Sequence, residues 1–170
     1  MHVNILTTQA PPKTILFVED EALIALVEHT KLQQHGFHVI TADNGAAAVE
    51  IALNTPQLDL ILMNINLGSG IDGTEAARQI LQQREVPIVF ISSYTEQEII
   101  EKTNTIPFYG YVVRNVGQTG LFPAITMALK LFEAQQRLKE LEEALREHEA
   151  RDRRCVERSP EMSPALDGRG

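Results

Sequence analysis

The feature that most constrains the fold is the alternation of short apolar runs with helical patterns, repeated five times along the chain. The predicted strands span 14–18, 37–42, 60–63, 88–91 and 109–113, and the predicted helices span about 22–36, 46–54, 73–84 and 95–103, with a last one from about 117. Such alternation favours a doubly wound (βα)5 fold of the α/β class, with a parallel sheet between two layers of helices. Right-handed crossovers then bring all five carboxyl strand ends to one edge of the sheet.

The third run lies in the segment LDLILMNINLGSGIDG, residues 58–73. Its branched apolar residues, Leu60 to Met63, are typical of a strand buried on both faces. The run stops at Asn64 and continues into a loop that contains three glycines. A polar residue at the carboxyl end of a buried strand is where open α/β sheets place their ligand sites.

Polar residues also end three of the other predicted strands. Glu19 and Asp20 follow the first strand, Ser92 the fourth and Arg114 the fifth. Two adjacent carboxylates suit Mg²⁺, and a hydroxyl beside a fixed cation suits a phosphoryl group. A third carboxylate between them would complete a phosphoryl-transfer site, but the chain has Asn64 there.

Several local signals predict how the helices begin and pack. Asp43-Asn44-Gly45 is a predicted turn and cap before the second helix, Asp72 is the predicted cap of the third, and Thr95 with Glu98 has the capping-box spacing. Gly36 is the predicted C-cap of the first helix. In that helix we expect one apolar stripe, made of Leu23, Ile24, Leu26, Val27 and Leu32.

Composition excludes several classes of function. A formal charge of −8 and a pI near 5.1 argue against nucleic acid as a partner. No apolar run approaches the roughly 20 residues that span a membrane, and the first residues lack the features of a signal peptide. The lone Cys155 supports neither a disulfide framework nor a zinc site. We therefore expect a cytoplasmic protein with no membrane contact.

Four segments, taken in order, resemble the receiver domain of two-component response regulators, the CheY-like family. They are VED, LILMNINLGSGIDG, FISS and YGYVVRN, and the resemblance covers about residues 13–132. The loop INLGSGIDGTEAA is similar to receivers found with PAS-containing sensor histidine kinases. The resemblance implies a flavodoxin-like strand order 2-1-3-4-5, a role in phosphorelay signalling without enzymatic activity, and a sensor histidine kinase or another signalling protein as partner.

The resemblance also implies roles for individual residues. Glu19 and Asp20 match the metal-binding acids, and Asn66 would offer its backbone carbonyl to the metal. Asn64 occupies the position of the phosphoacceptor aspartate. The phosphoryl-contact and switch positions are Ser92, Tyr111 and Arg114, the last of which replaces a lysine.

Two of these residues depart from the family pattern. The amide of Asn64 cannot form an acyl phosphate and gives Mg²⁺ no anionic oxygen, so we expect at most a weak Mg²⁺ site and no other cofactor. Arg114 keeps the positive charge on a larger, planar group, and it is placed to form a salt bridge to Glu19 or Asp20. Neither Asp59 nor Asp72 is a convincing substitute acceptor.

Three functional hypotheses remain open on the sequence. The first is a degenerate, phosphorylation-independent receiver. The second is a conventional Mg²⁺-dependent phosphoacceptor receiver that carries an inactivating change of aspartate to Asn64. The third is a flavodoxin-like cofactor-binding protein, which the acidic residues after the first strand disfavour because they would repel a phosphate.

The last part of the chain changes in character. We predict a flexible arm over 1–12, the receiver domain over 13–132, a helical extension over 133–154 and a disordered tail over 155–170. Leucines at 131, 138 and 145, with Ala134, Leu141 and His148 between them, form a heptad seam. This pattern predicts a coiled coil that makes the protein a homodimer. The alternatives are a linker to a missing partner and a helix that lies on its own domain.

Overall fold

The computed structural model describes residues 10–93, 95–114 and 120–158. It confirms the predicted α/β fold, with one parallel sheet in the order β2-β1-β3-β4-β5. The strands are β1 (Thr14–Val18), β2 (His38–Ala42), β3 (Leu60–Asn64), β4 (Ile88–Ser92) and β5 (Gly110–Val113). The helices are α1 (Ala22–Gln34), α2 (Gly45–Asn54), α3 (Gly73–Leu81), α4 (Glu96–Thr103) and α5 (Leu121–Glu157).

Strand β3 lies at the centre of the sheet, between β1 and β4. All five of its residues are buried, as are all five of β4. The register pairs Val18 with Met63 and Asn64 with Ile91, so the carboxyl ends of the three strands are level. The residues that follow them therefore meet at one edge, as the alternation predicts.

The core has two layers because the side chains of a strand alternate between the faces of the sheet. On one face Ile61, Met63 and Phe90 pack with buried residues of α2, α3 and α4. On the other face Leu60 and Leu62 pack with residues of α1 and α5. Burial of each large apolar side chain contributes about 1.5–3 kcal/mol, so β3 is a major source of stability.

The predicted caps at the helix starts are confirmed, whereas the C-cap of α1 is His35, and Gly36 follows it with φ of +87°. The side chain of Asn44 accepts a hydrogen bond from the third residue of α2 at 2.8 Å, and that of Asp72 accepts one from Glu75 at 2.9 Å. At α4 the carboxylate of Glu98 accepts from the backbone N–H of Thr95 at 3.0 Å. Each cap satisfies a backbone N–H that the first helical turn leaves unpaired.

The predicted apolar stripe of α1 is wrong. Leu23 is 75% exposed, Leu26 64% and Val27 41%, and Leu32 is the buried member of the set. At 100° per residue, Leu23, Leu26 and Val27 lie within about 100° of one another, whereas Leu32 lies on the side of the helix opposite Leu23. They therefore cannot all face the sheet.

Helix α3 is shorter than predicted. It ends at Leu81, whereas the sequence favours an end near residue 84. Arg84 instead lies in the turn that follows, where its guanidinium donates to the backbone oxygens of Ala52 and Thr55, both at 2.7 Å. These bonds satisfy carbonyls at the end of α2 and connect two neighbouring helices.

Helix α5 continues past the predicted extension. It ends at Glu157, so the expected start of a disordered tail at 155 is wrong. The predicted start of this helix near Gly117, most of the arm and the end of the chain lie outside the described residues. The chain divides into two compact units, of which the first ends at Phe132 and the second begins at Glu133. In the described ranges no helix is both long and apolar enough to cross a bilayer.

Candidate functional site

A cleft of about 380 Å³ opens at the carboxyl edge of the sheet. It is formed by the segments that follow β1, β3, β4 and β5, the place that the strand-end argument predicts. Its walls are predominantly polar and include most of the residues singled out from the sequence. The lining residues are Asp20, Glu21, Asn64, Asn66, Leu67, Gly68, Asp72, Ser93 and Arg114.

Glu19 is the buried carboxylate beside this cleft. Its backbone N–H donates to the carbonyl of Ala42 at 2.9 Å, which extends the pairing of β1 with β2 by one residue. The side chain is therefore held at the sheet edge, and the residue is only 1% exposed. The backbone N–H of Glu21 donates to Oε1 of Glu19 at 3.2 Å.

Asn64 joins the two acidic residues through its amide group. Its Nδ2 donates to Oε1 of Glu19 at 3.1 Å and to Oδ1 of Asp20 at 3.4 Å. Its Oδ1 accepts from the backbone N–H of Asn66 at 3.2 Å. This orientation of the amide is the one that chemistry requires, because carboxylates only accept and a backbone N–H only donates.

Arg114 supplies the positive charge of the site. Its backbone N–H donates to the carbonyl of Ser92 at 2.8 Å, which places the residue directly after β5 and beside the end of β4. Its Nη2 donates to Oε2 of Glu19 in an ion pair. The sequence allowed a salt bridge from Arg114 to either Glu19 or Asp20, and the structure contains the one to Glu19.

The electrostatics of Glu19 follow from its position. Burial raises the pKa of this carboxyl, because a charged group loses its hydration there. The hydrogen bond from the backbone of Glu21 and the charge of Arg114 oppose the rise, but burial is the larger effect. Glu19 thus depends on its partners to remain charged in the fold.

Two glycines determine how closely the loop after β3 approaches the site. Gly73 packs so tightly that a Cβ there would lie 2.0 Å from the carbonyl oxygen of Asn64. Gly68 has φ of +60°, and a Cβ would lie 3.1 Å from Oδ2 of Asp20. Sequence reasoning identified the glycine-bearing turn but not these contacts, although the close spacing of its glycines was the available signal.

The structure does not bring every predicted site residue into the cleft. Ser92 is 1% exposed, and its neighbour Ser93 lines the wall instead. Tyr111 is half-buried and lies edge to face with Phe108, with ring centroids 6.5 Å apart. The switch roles of Ser92 and Tyr111 therefore remain predictions.

As arranged, the residues present fit a bound Mg²⁺ poorly, because both oxygens of the Glu19 carboxylate are engaged. Arg114 donates to Oε2, and Asn64 and the backbone of Glu21 donate to Oε1. Asn64 also directs an N–H₂ donor, not an oxygen, toward the two carboxylates. Across 10–93, 95–114 and 120–158, no cluster of three His, Cys, Asp or Glu side chains has metal-binding geometry.

Comparison with known proteins identifies the family. The model of the response regulator receiver domain matches residues 15–126, and the chain belongs to this family. The chain is 32% identical over 125 residues to the transcriptional regulatory protein PdtaR of Mycobacterium tuberculosis. The match covers 72% of this chain and 60% of PdtaR, so the chain spans less than two thirds of that relative's length.

Solved structures show the same fold. The N-terminal domain of a response regulator/sensory box/GGDEF protein from Carboxydothermus hydrogenoformans has a TM-score of 0.67 and 40% identity, over 72% of this chain and 98% of that one. The response regulator TrrA of Thermotoga maritima, solved with Mg²⁺ and BeF, has a TM-score of 0.60 and 26% identity. That match covers 68% of this chain and 98% of TrrA. Two-component signalling is thus the context of this domain.

Proposed function

We propose that this receiver domain is a phosphorylation-independent signalling module, which acts through its protein surfaces without phosphotransfer or enzymatic activity. The observation that carries the proposal is the pair of hydrogen bonds from Nδ2 of Asn64 to Glu19 and Asp20. By family resemblance Asn64 occupies the phosphoacceptor position. An amide nitrogen has a delocalised lone pair, so this side chain provides no nucleophile for a phosphoryl group.

Arg114 supports the same proposal through charge. A receiver with a third carboxylate needs a divalent cation to offset three negative charges. Here the guanidinium of Arg114 offsets the charge of Glu19, and the uncharged amide of Asn64 donates hydrogen bonds to both carboxylates. The cluster therefore has less need of a cation, and we infer that a Mg²⁺ site at Glu19, Asp20 and the carbonyl of Asn66 is weak at most.

The natural partner on this proposal is a sensor histidine kinase or another protein of the same signalling pathway. Recognition would use the surface of the domain and not a transferred phosphoryl group. We also propose that the helical extension, residues 133–154, joins two copies of the chain into a homodimer. Leu138, Leu141 and Leu145 are 58%, 68% and 61% exposed on this helix, which supports an intermolecular contact.

Acetyl phosphate with Mg²⁺ provides the direct test. We expect no hydroxylamine-labile phosphoryl group on the protein by intact mass, and no response to beryllofluoride. The matched controls are Asn64→Asp and the double variant Asn64→Asp/Arg114→Lys, which restore the carboxylate and then the compact cation. A labile phosphoryl group on the unmodified chain refutes the proposal. Labelling of the variants alone shows that Asn64 is what disables the site.

A further inference from the structure

The second unit of the chain carries a continuous seam along one helix. Extending the heptad register to the end of α5 places seven residues at the a and d positions: Ala134, Leu138, Leu141, Leu145, His148, Asp152 and Cys155. The three leucines are all more than half exposed. Exposed leucines at this spacing lack the burial that stabilises such side chains in a monomer. The seam is therefore a surface for another helix.

The charges beside the seam distinguish between possible partners. In the same register the e positions hold Gln135, Glu142, Glu149 and Val156, and the g positions hold Arg137, Ala144 and Arg151. The four charged side chains among them are exposed. The charges on one flank of the seam are thus acidic and those on the other basic, an arrangement that a second copy of the same helix complements.

The orientation of that second copy follows from the geometry of coiled coils. In a parallel pair, each g residue lies beside the e residue five positions later on the other helix. Arg137 then meets Glu142 of the second copy, and the symmetry of the pair makes this contact twice. In an antiparallel pair, e positions face e positions and g positions face g positions, so acid meets acid and base meets base. Like charges in contact oppose association.

We propose that the helix from residue 134 to residue 157 pairs with a second copy of itself in a parallel, in-register, two-stranded coiled coil. This inference rests on the homodimer proposed above and specifies its geometry. The leucine layers supply the apolar contact, and the Arg137–Glu142 pairs select the direction. His148 and Asp152, whose side chains lie 3.4 Å apart, place polar layers near the end of the seam.

Cys155 makes this geometry measurable without substitution. It is an exposed, free thiol at a d position of the seam. In the parallel, in-register pair the two Cys155 side chains belong to one layer and face each other, as a disulfide requires. In an antiparallel pair of the 134–157 segments, Cys155 would lie opposite position 136, and the two thiols would be roughly 28 Å apart.

The experiment is oxidation of the full chain with diamide, followed by non-reducing electrophoresis and light scattering. Two thiols form one S–S bond, and diamide accepts the two electrons and two protons to become a hydrazine. We expect near-complete conversion to a covalent dimer at micromolar protein, reversed by dithiothreitol. The cross-link should be absent from Cys155→Ser and from the monomeric control Leu138→Asp/Leu145→Asp.

The outcomes are distinct. A dimer by light scattering that does not cross-link refutes the parallel register but leaves dimerisation intact. A monomer refutes both proposals, whereas the phosphorylation-independent role is tested separately by acetyl phosphate. Equal cross-linking in the leucine variant shows random collision and also overturns the inference.

A charge exchange tests the Arg137–Glu142 contact itself. The single variant Arg137→Glu puts acid beside acid twice in a parallel dimer, and we expect its dissociation constant to rise about tenfold. The double variant Arg137→Glu/Glu142→Arg restores opposite charges and should return the constant to near the unmodified value. A double variant as weak as the single one contradicts the parallel pairing.

Discussion

The substitution Asn64→Asp tests whether the acidic cluster is balanced without a metal. It replaces a hydrogen-bond donor by an anionic oxygen at 3.1 Å from Glu19 and 3.4 Å from Asp20. Each new pair of negative charges is unfavourable by roughly 5 kcal/mol at an effective dielectric constant of about 20. Arg114 is already paired with Glu19 and offsets only part of this repulsion.

The net loss of stability is smaller than the sum of these repulsions. The side chains can move apart, and Glu19 can take up a proton because burial already raises its pKa. Breaking buried, charge-assisted contacts typically destabilises a fold by a few kcal/mol. We therefore expect Asn64→Asp to lower the free energy of unfolding by about 3 kcal/mol without metal, which corresponds to about 10 °C in Tm.

Mg²⁺ should reverse this loss, because a divalent cation offsets the added charge. The assay is urea and thermal unfolding with EDTA or with millimolar Mg²⁺, for the unmodified chain and for Asn64→Asp. We expect Mg²⁺ to raise the Tm of the variant by several degrees and to leave the unmodified chain nearly unchanged. The control is Asn104→Asp, the same change at the exposed C-cap of α4, where the helix dipole should limit the loss of stability to at most about 1 kcal/mol. Unchanged stability of Asn64→Asp together with no response to Mg²⁺ would refute the reasoning.

Two further predictions concern packing and pH. Gly73→Ala should destabilise the domain by more than about 3 kcal/mol in urea unfolding, because the added Cβ would overlap the carbonyl of Asn64. The control is Gly110→Ala, whose added Cβ would lie 3.9 Å from the nearest atom and should be tolerated. The raised pKa of Glu19 means that the folded state holds this proton more tightly than the unfolded chain does. The stabilisation of the folded state by this bound proton is therefore fully present below the ordinary glutamate pKa of about 4.3. It is lost as the pH rises through the pKa that Glu19 has in the folded state. As the pH rises over this range, the free energy of unfolding of the unmodified chain should fall relative to that of Glu19→Gln. A difference between the two proteins that stays constant from pH 4 to pH 7 would contradict the raised pKa of Glu19.

The sequence was sufficient for the sheet and for the place of the site. Strand β3 was predictable because a short run of branched apolar residues that ends at a polar residue is typical of a buried parallel strand. The caps at Asp72 and within the turn Asp43-Asn44-Gly45 were predictable because they depend on short-range chemistry. The face of α1 was not predictable, since its apolar residues surround the helix and only the tertiary structure decides which are covered. The hydrogen bonds of Arg84, just beyond the end of α3, were not predictable either, because their acceptors are carbonyls distant in sequence.

The site shows the same division between local and long-range information. That Glu19, Asp20 and Asn64 would meet followed from parallel strands alone. The pairing of donors and acceptors within this cluster could not be predicted from the strand order. It depends on the burial of Glu19 and on the close approach of the loop that Gly73 allows. The three hydrogen bonds of the Asn64 side chain thus had to be read from the structure.

Asn64 and Arg114 are best understood as one arrangement, because both bind the carboxylate of Glu19, each through a different oxygen. Groups that share a partner in this way are energetically coupled, and their substitutions do not add. Replacing Asn64 alone leaves Arg114 bound to Glu19, where it competes with a metal for the same oxygen. The single variant Asn64→Asp should therefore bind Mg²⁺ only in part, and a stronger site needs a cation at 114 that can release Glu19, which the single amine of lysine does more readily than a guanidinium fork. The gain in Mg²⁺ affinity of Asn64→Asp/Arg114→Lys should thus exceed the sum of the gains of the two single variants.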